Sequence, residues 1–135
     1  MPAMQPTSDR LRDFARDDHS GEIVIVNLLK FRDRAEYQPE DPEHGQYATG
    51  AEAYARYRFG CIELGRDPTI GVKEVYAAPA ARFFIGEGDW DYVWVMRYPS
   101  RGCLLSMIGD ERYQAAHRHR KAGLLHQDAI ETRPE

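Results

Sequence analysis

A chain of 135 residues is long enough for one ordinary domain with a single core and too short for two. Its 42% hydrophobic and 30% charged residues are those of a globular protein, and 18 basic against 22 acidic residues, a formal net charge of -4, give no global pull toward nucleic acid. No window approaches the roughly 20 apolar residues that span a bilayer, and the opening Met-Pro-Ala-Met-Gln-Pro has neither the basic start nor the apolar core of a signal peptide, so a cytoplasmic protein without a membrane partner is expected.

Thr7 or Ser8 can cap a short helix in which Leu11, Phe14 and Ala15 fall at i, i+3 and i+4, and the turn-forming run Asp17, Asp18, His19, Ser20, Gly21 ends it. Residues 1–21 therefore read as a helical extension. Residues 22–32, E-I-V-I-V-N-L-L-K-F-R, follow as the central strand, because four successive β-branched residues in a short apolar run favour a strand buried on both faces. In extended geometry Ile23, Ile25, Asn27, Leu29 and Phe31 share one face, so Asn27 is an amide set in an apolar surface. Residues 33–48, acidic and aperiodic with Pro39, Pro42 and His44, read as a long surface loop of the kind that is often functional or mobile.

Thr49-Gly50-Ala51-Glu52 has capping-box spacing, and Tyr54, Tyr57, Cys61 and Leu64 then repeat along one helical face before Gly65 stops it. Residues 71–86 are β-like but interrupted by Pro79, which points to an edge strand, a bulge or a bend. Residues 91–98 form the second clear strand, with Tyr92, Trp94, Met96 and Tyr98 under helices and Asp91, Val93, Val95 and Arg97 on the other face. Pro99-Ser100 opens a helix with Leu104, Leu105, Met107 and Ile108 inside, Gly109 breaks it, and Asp110 caps another that carries Tyr113, Ala116, His117 and Arg120 on one side. Residues 124–132 make the last strand. Cys61 and Cys103 lie in apolar settings with no partner at metal-ligand spacing and read as buried free thiols.

The order is a helix, then strand, helix, strand, strand, helix, strand. This is a single α+β domain, the ferredoxin-like split βαβ with an antiparallel sheet and helices on one face. The other face, assigned to Ile23, Ile25, Val93 and Val95, is too apolar for water and predicts a homodimer. The motifs N-L-L-K-F-R (residues 27–32), W-D (90–91), R-Y-P-S-R (97–101) and D-E-R-Y-Q-A-A-H (110–117) together resemble the DUF 1330 family of uncharacterised bacterial proteins in the dimeric α/β-barrel superfamily. The resemblance covers residues 23–130 and implies a ferredoxin-like subunit in a homodimeric barrel. It implies no activity, since superfamily relatives range over cofactor-free monooxygenases, lactone isomerases and haem enzymes. The N-terminal helix and the long acidic loop depart from the short form of that family.

For chemistry, His117 is the best acid or base, because an imidazole titrates near neutral pH and its stripe turns it toward the sheet with Tyr113 and Arg120. A purely structural histidine is the competing reading. Asn27, Arg97 and Tyr57 are expected to face the space between sheet and helices, where amide and guanidinium hold an anionic oxygen and the tyrosine donates a proton. The catalytic set is thus His117, Arg97 and Tyr57, with Asn27, Tyr54 and Tyr113 as ligand-binding residues. Core packing competes for Tyr54 and Tyr57, and an ion pair with Asp91, Glu52 or Asp110 competes for Arg97. His119 falls on another helical face from His117, His19 and His44 fall in loops, and neither a metal site nor a cofactor is expected. The sequence holds no phosphate loop, G-x-S-x-G or dinucleotide fingerprint. Two functions remain: a cofactor-independent enzyme working by proton transfer or oxygenation on an organic acid or aromatic substrate, or a non-catalytic dimeric domain for ligand binding or assembly. Convergence of Asn27, Tyr57, Arg97 and His117 on one cavity would separate them.

Overall fold

The computed structural model describes residues 3–135. Its elements are α1 (Ser8–Arg16), β1 (Ile23–Phe31), α2 (Gly50–Leu64), β2 (Lys73–Pro79), β3 (Tyr92–Tyr98), α3 (Arg101–Gly109), α4 (Glu111–Gly123) and β4 (Leu124–Thr132). The four strands form one antiparallel sheet in the order β2-β3-β1-β4. The predicted starts hold for local reasons. Thr7 accepts from the Arg10 amide, Ser100 from Cys103 and Asp110 from Arg112, while Thr49 and Glu52 complete the capping box at α2.

Register decides which face is which. Asn27 stands opposite Trp94, Ile25 opposite Met96 and Ile23 opposite Tyr98, so this row of β1 lies beneath α2, α3 and α4 with the bulky row of β3. Ile23, Leu29, Tyr54, Trp94, Met96 and Leu124 are among the most buried residues of the core. The expected open face is therefore corrected: Ile23 is fully buried on the helix side, and Ile25 packs against the same core. The uncovered row of β1 is Val24, Val26 and Leu28, beside Val93 and Val95 of β3 and Ile130 of β4. These β1 and β3 side chains are half-buried, so within one chain β1 is covered on one side only.

Two further expectations need adjusting. The acidic loop is pinned: Ala35 and Tyr37 bury against Ala48, Ala53 and Ala122, and Glu36 donates its amide to the Ala122 carbonyl. The Tyr37 hydroxyl lies 2.7 Å from His119 Nδ1 and accepts from Arg56, and Arg118 clamps Glu43 at 2.9 Å. Those contacts fasten the loop to α2 and α4. β2 is the edge strand that Pro79 foretold, with a register shift between Glu74 and Tyr76, but the apolar run Phe83, Phe84, Ile85 does not extend it. Phe84 is 98% and Ile85 85% exposed, in the connection between β2 and β3. Of the two free thiols, Cys61 is buried and Cys103 half-buried.

Candidate functional site

Between the sheet and the helices, with α1 and residues 3–6 on the open side, lies a cavity of about 940 Å³. Such a volume holds a drug-sized organic molecule. Its walls follow from the two buried rows already described. Trp94 and Tyr98 rise from β3, while Tyr54, Tyr57 and Cys61 descend from one face of α2. Tyr54 and Tyr57 sit 5.2 Å apart by ring centroid, both about 6.0 Å from Trp94, with Tyr113 of α4 5.9 Å from Tyr57. Tilted and edge-on rings at this spacing make a rigid aromatic lining.

One end of this lining is polar. Asn27 donates to the Trp94 carbonyl at 2.9 Å and accepts from Gln127 at 2.7 Å. Gln127 in turn accepts from Arg120 Nη2 at 2.8 Å, and the same nitrogen donates to the Met4 carbonyl. Arg120 Nη1, sealed from solvent, has no hydrogen-bond partner among the described residues, and the residue as a whole is 7% exposed. No carboxylate among the described residues pairs with it. Nearby, the Tyr57 and Tyr113 hydroxyls bond to each other at 3.0 Å, which leaves one of the two protons free for a third partner.

Burial pushes the Tyr57 and Tyr54 hydroxyls far above their ordinary range and raises Tyr113 as well, and it pushes the Cys61 thiol up to about 12. At neutral pH all four stay protonated. They are hydrogen-bonding groups rather than bases or thiolate nucleophiles.

α1 covers the cavity from outside. It has no buried residue of its own, and it is held through Arg101, which lies 4.0 Å over the Phe14 ring and 3.2 Å from Asp17, with Glu131 at 3.3 Å. Arg133 adds a 2.7 Å bond to Asp17.

The predicted residues divide. Asn27, Tyr54, Tyr57 and Tyr113 come together on the cavity wall. Arg97 does not: it is exposed on the uncovered face, 3.2 Å from Glu22, because it alternates with Met96 and Tyr98. Its expected partners Asp91, Glu52 and Asp110 are occupied elsewhere, with Lys30 and Phe31, Thr49, and Arg112 respectively. His117 is half-buried against Tyr113, ring centroids 5.8 Å apart, outside the cavity wall. Arg97 and His117 thus stand on different faces of the molecule and cannot assist each other. Among the described residues no three His, Cys, Asp or Glu side chains group to hold a metal ion. Arg120, Gln127 and Trp94 line the cavity as well, and sequence reasoning left them out of the candidate set. The signal for Arg120 was its place on a stripe otherwise turned to the core, where a cation needs a reason.

His117 carries a pH prediction. Desolvation, then Arg120 and Lys121, lowers its pKa to about 4 from an ordinary 6.5. The folded state therefore holds it neutral while the unfolded chain takes up a proton near pH 6.5. Its contribution is fully present above pH 6.5 and is lost as pH falls toward 4. Melting temperatures should decline across that window, and His117→Gln should flatten the decline; identical slopes would contradict the assignment.

Asn27 carries another. Asn27→Leu strands the Gln127 amide and deprives the Trp94 carbonyl of a donor, so it should cost about 1–3 kcal/mol in denaturant unfolding. An unchanged or raised midpoint would show that the amide is dispensable to the core.

This sheet order with helices on one face defines a ferredoxin-like α+β protein, and known structures agree. Two crystal structures of the RPA0582 protein, one methylated and one described as of unknown function from Rhodopseudomonas palustris, match at 32% and 30% identity with a TM-score of 0.85. They align with 100% of this chain and with 97% and 98% of their own. The chain belongs to the family of the RPA0582 protein. Fold alone is shared with a dabb family protein of ferredoxin-like fold from Mesorhizobium loti, at 12% identity and TM-score 0.51, covering 85% of this chain and 98% of that one. A dimeric protein of unknown function from Bacteroides fragilis stands at 11% and 0.50, covering 83% and 95%. No family model and no curated protein matches the chain.

Proposed function

We propose that the chain is a homodimeric, cytoplasmic small-ligand-binding domain whose cavity takes one organic molecule per subunit. The observation that carries this is the aromatic cavity of about 940 Å³ ending in the Arg120, Gln127, Asn27 relay. A core built only for packing is close to void-free, and a cavity this large with convergent polar groups is the usual form of a binding site. Binding is favoured over proton-transfer catalysis because the cavity tyrosines are held protonated, while His117 and Arg97 lie off its wall. The dimer is supported by the uncovered apolar row of β1, β3 and β4, and a protein of the same fold from Bacteroides fragilis is described as dimeric. The DUF 1330 kinship and the barrel assembly rest on the motifs quoted above and on this face.

The cavity reading is tested with Trp94 as the reporter. In a Trp90→Phe variant Trp94 is the sole tryptophan, and it stands on the cavity wall. Titration with a panel of small aromatic and medium-chain compounds should change its fluorescence saturably, at one equivalent per chain, for at least one compound. No saturable change across the panel would overturn the reading.

A further inference from the structure

The inference rests on the cavity reading above and concerns the charge of what enters. Arg120 is a guanidinium brought into the core by α4, the element whose other inward residues, Tyr113, Ala122 and Gly123, carry no charge. A buried cation costs several kcal/mol unless a counter-charge meets it. Each of the other buried or half-buried arginines has a carboxylate within 4 Å: Arg101 has Asp17 and Glu131, Arg118 has Glu43, Arg32 has Glu36 and Arg58 has Glu74. Among the described residues Arg120 has two neutral acceptors, the Met4 carbonyl and the Gln127 amide oxygen, and an Nη1 with none. It lines the cavity at the polar end, beside the Tyr57 and Tyr113 hydroxyl pair that holds a free proton.

We propose that Arg120 is the anchor for a carboxylate ligand with an apolar, aromatic or medium-chain body, whose carboxylate supplies the missing counter-charge at the guanidinium and accepts a hydrogen bond from the Tyr57–Tyr113 pair. The body lies along the wall of Tyr54, Trp94 and Tyr98. Arg101, the other buried arginine on the wall, is already paired with Asp17 and Glu131, so one buried cation is left for a singly charged acid. A phosphate would bring a second negative charge into a cavity that Asp13, Asp17, Asp128 and Glu131 also line. The Met4 carbonyl is the acceptor on Arg120 from a segment outside any helix or strand, and it is the group that the carboxylate displaces. Residues 3–6 therefore loosen when an acid binds, and with them the 2.6 Å bond from the Gln127 amide to the Ala3 carbonyl.

The test compares isosteres. Phenylpropionate and phenylpropionamide, octanoate and octanamide, and phenyl phosphate are titrated into the Trp90→Phe protein at pH 7.5, with Trp94 fluorescence as the readout. The acids should bind at least tenfold more tightly than their amides and more tightly than phenyl phosphate. Arg120→Met should weaken binding of the acids at least tenfold more than binding of the amides, and Arg120→Lys should restore part of the preference for the acids. Hydrogen exchange at the Gln127 amide should speed up with acid and not with amide. Equal binding of acid and amide by the parent, or tighter binding of the phosphate, overturns the carboxylate assignment while the cavity reading stands. Failure of every compound to bind overturns both. Because the parent comparison needs no variant at Arg120, the assignment can fail even if Arg120→Met does not fold.

Discussion

Gly123→Ala is expected to lower the melting temperature by about 10 °C, corresponding to a cost of about 3 kcal/mol in a domain of this size. A Cβ at Gly123 would fall 2.4 Å from the Gly50 carbonyl oxygen and 2.9 Å from the Tyr54 amide nitrogen, both backbone atoms near the start of α2. Neither can yield as a flexible side chain would. Gly50 is closed off in the same way, its own Cβ falling 2.0 Å from the Arg32 carbonyl. α2 and α4 thus meet backbone to backbone at the point where α4 hands over to β4. That contact sets the height of Tyr54 and Tyr57 above the sheet and so the depth of the cavity. Gly109→Ala is the control, since nothing lies within 4 Å of that position; it should leave stability unchanged or raise it slightly by improving helix propensity. Equal melting temperatures for the two variants would contradict the close crossing.

Much of this architecture was legible in the chain because its local signals agree. The capping residues Thr7, Thr49, Ser100 and Asp110 each mark a real helix start, and the alternation through residues 91–98 marks the two faces of β3. Where reading failed, the deciding information was nonlocal. β1 is apolar on both faces, so its own pattern could not say which row the helices cover; the pairing of Asn27 with Trp94 says it. Arg97 was drawn inward by its chemistry although its alternation with Met96 and Tyr98 put it outside. Residues 33–48 lack periodicity and looked free, yet Tyr37 and Ala35 anchor them through contacts with helices far along the chain. The candidate site was half legible. Asn27, Tyr54, Tyr57 and Tyr113 were visible as polar or aromatic groups on inward faces. Gln127 was not, because its role comes from two cross-molecule bonds, to Asn27 and Arg120, that no spacing encodes.

The uncovered sheet face gives the second large expected effect: Val95→Asp should convert a dimer to a monomer. Val95 sits at the centre of that face, opposite Val26 on β1 and Tyr76 on β2, with Val24, Leu28, Val93 and Ile130 around it. The helices already occupy the other side, so in a single chain this row is covered only by its own neighbours in the sheet and stays half-exposed to water. Apolar area of this extent is costly to expose, and a second copy of the same face is self-complementary about a two-fold axis. The connection between β2 and β3 adds exposed apolar area, Phe84 and Ile85 being 98% and 85% exposed. A stable interface of this kind buries on the order of 2,000 Å² in total, which four strands and this connection can supply together. Sedimentation of the parent at micromolar concentration should give twice the 15.5 kDa of one chain. A carboxylate at position 95 would then be stranded in a dry interface at a cost of several kcal/mol, more than enough to dissociate it, while in the separated subunit the same side chain points into water. The variant should therefore run as a monomer with an unchanged circular dichroism spectrum, and Phe84→Ser combined with Ile85→Ser should weaken the dimer without abolishing it. A parent that sediments as a monomer, or a Val95→Asp variant that stays dimeric, would place the assembly elsewhere on the surface or remove it.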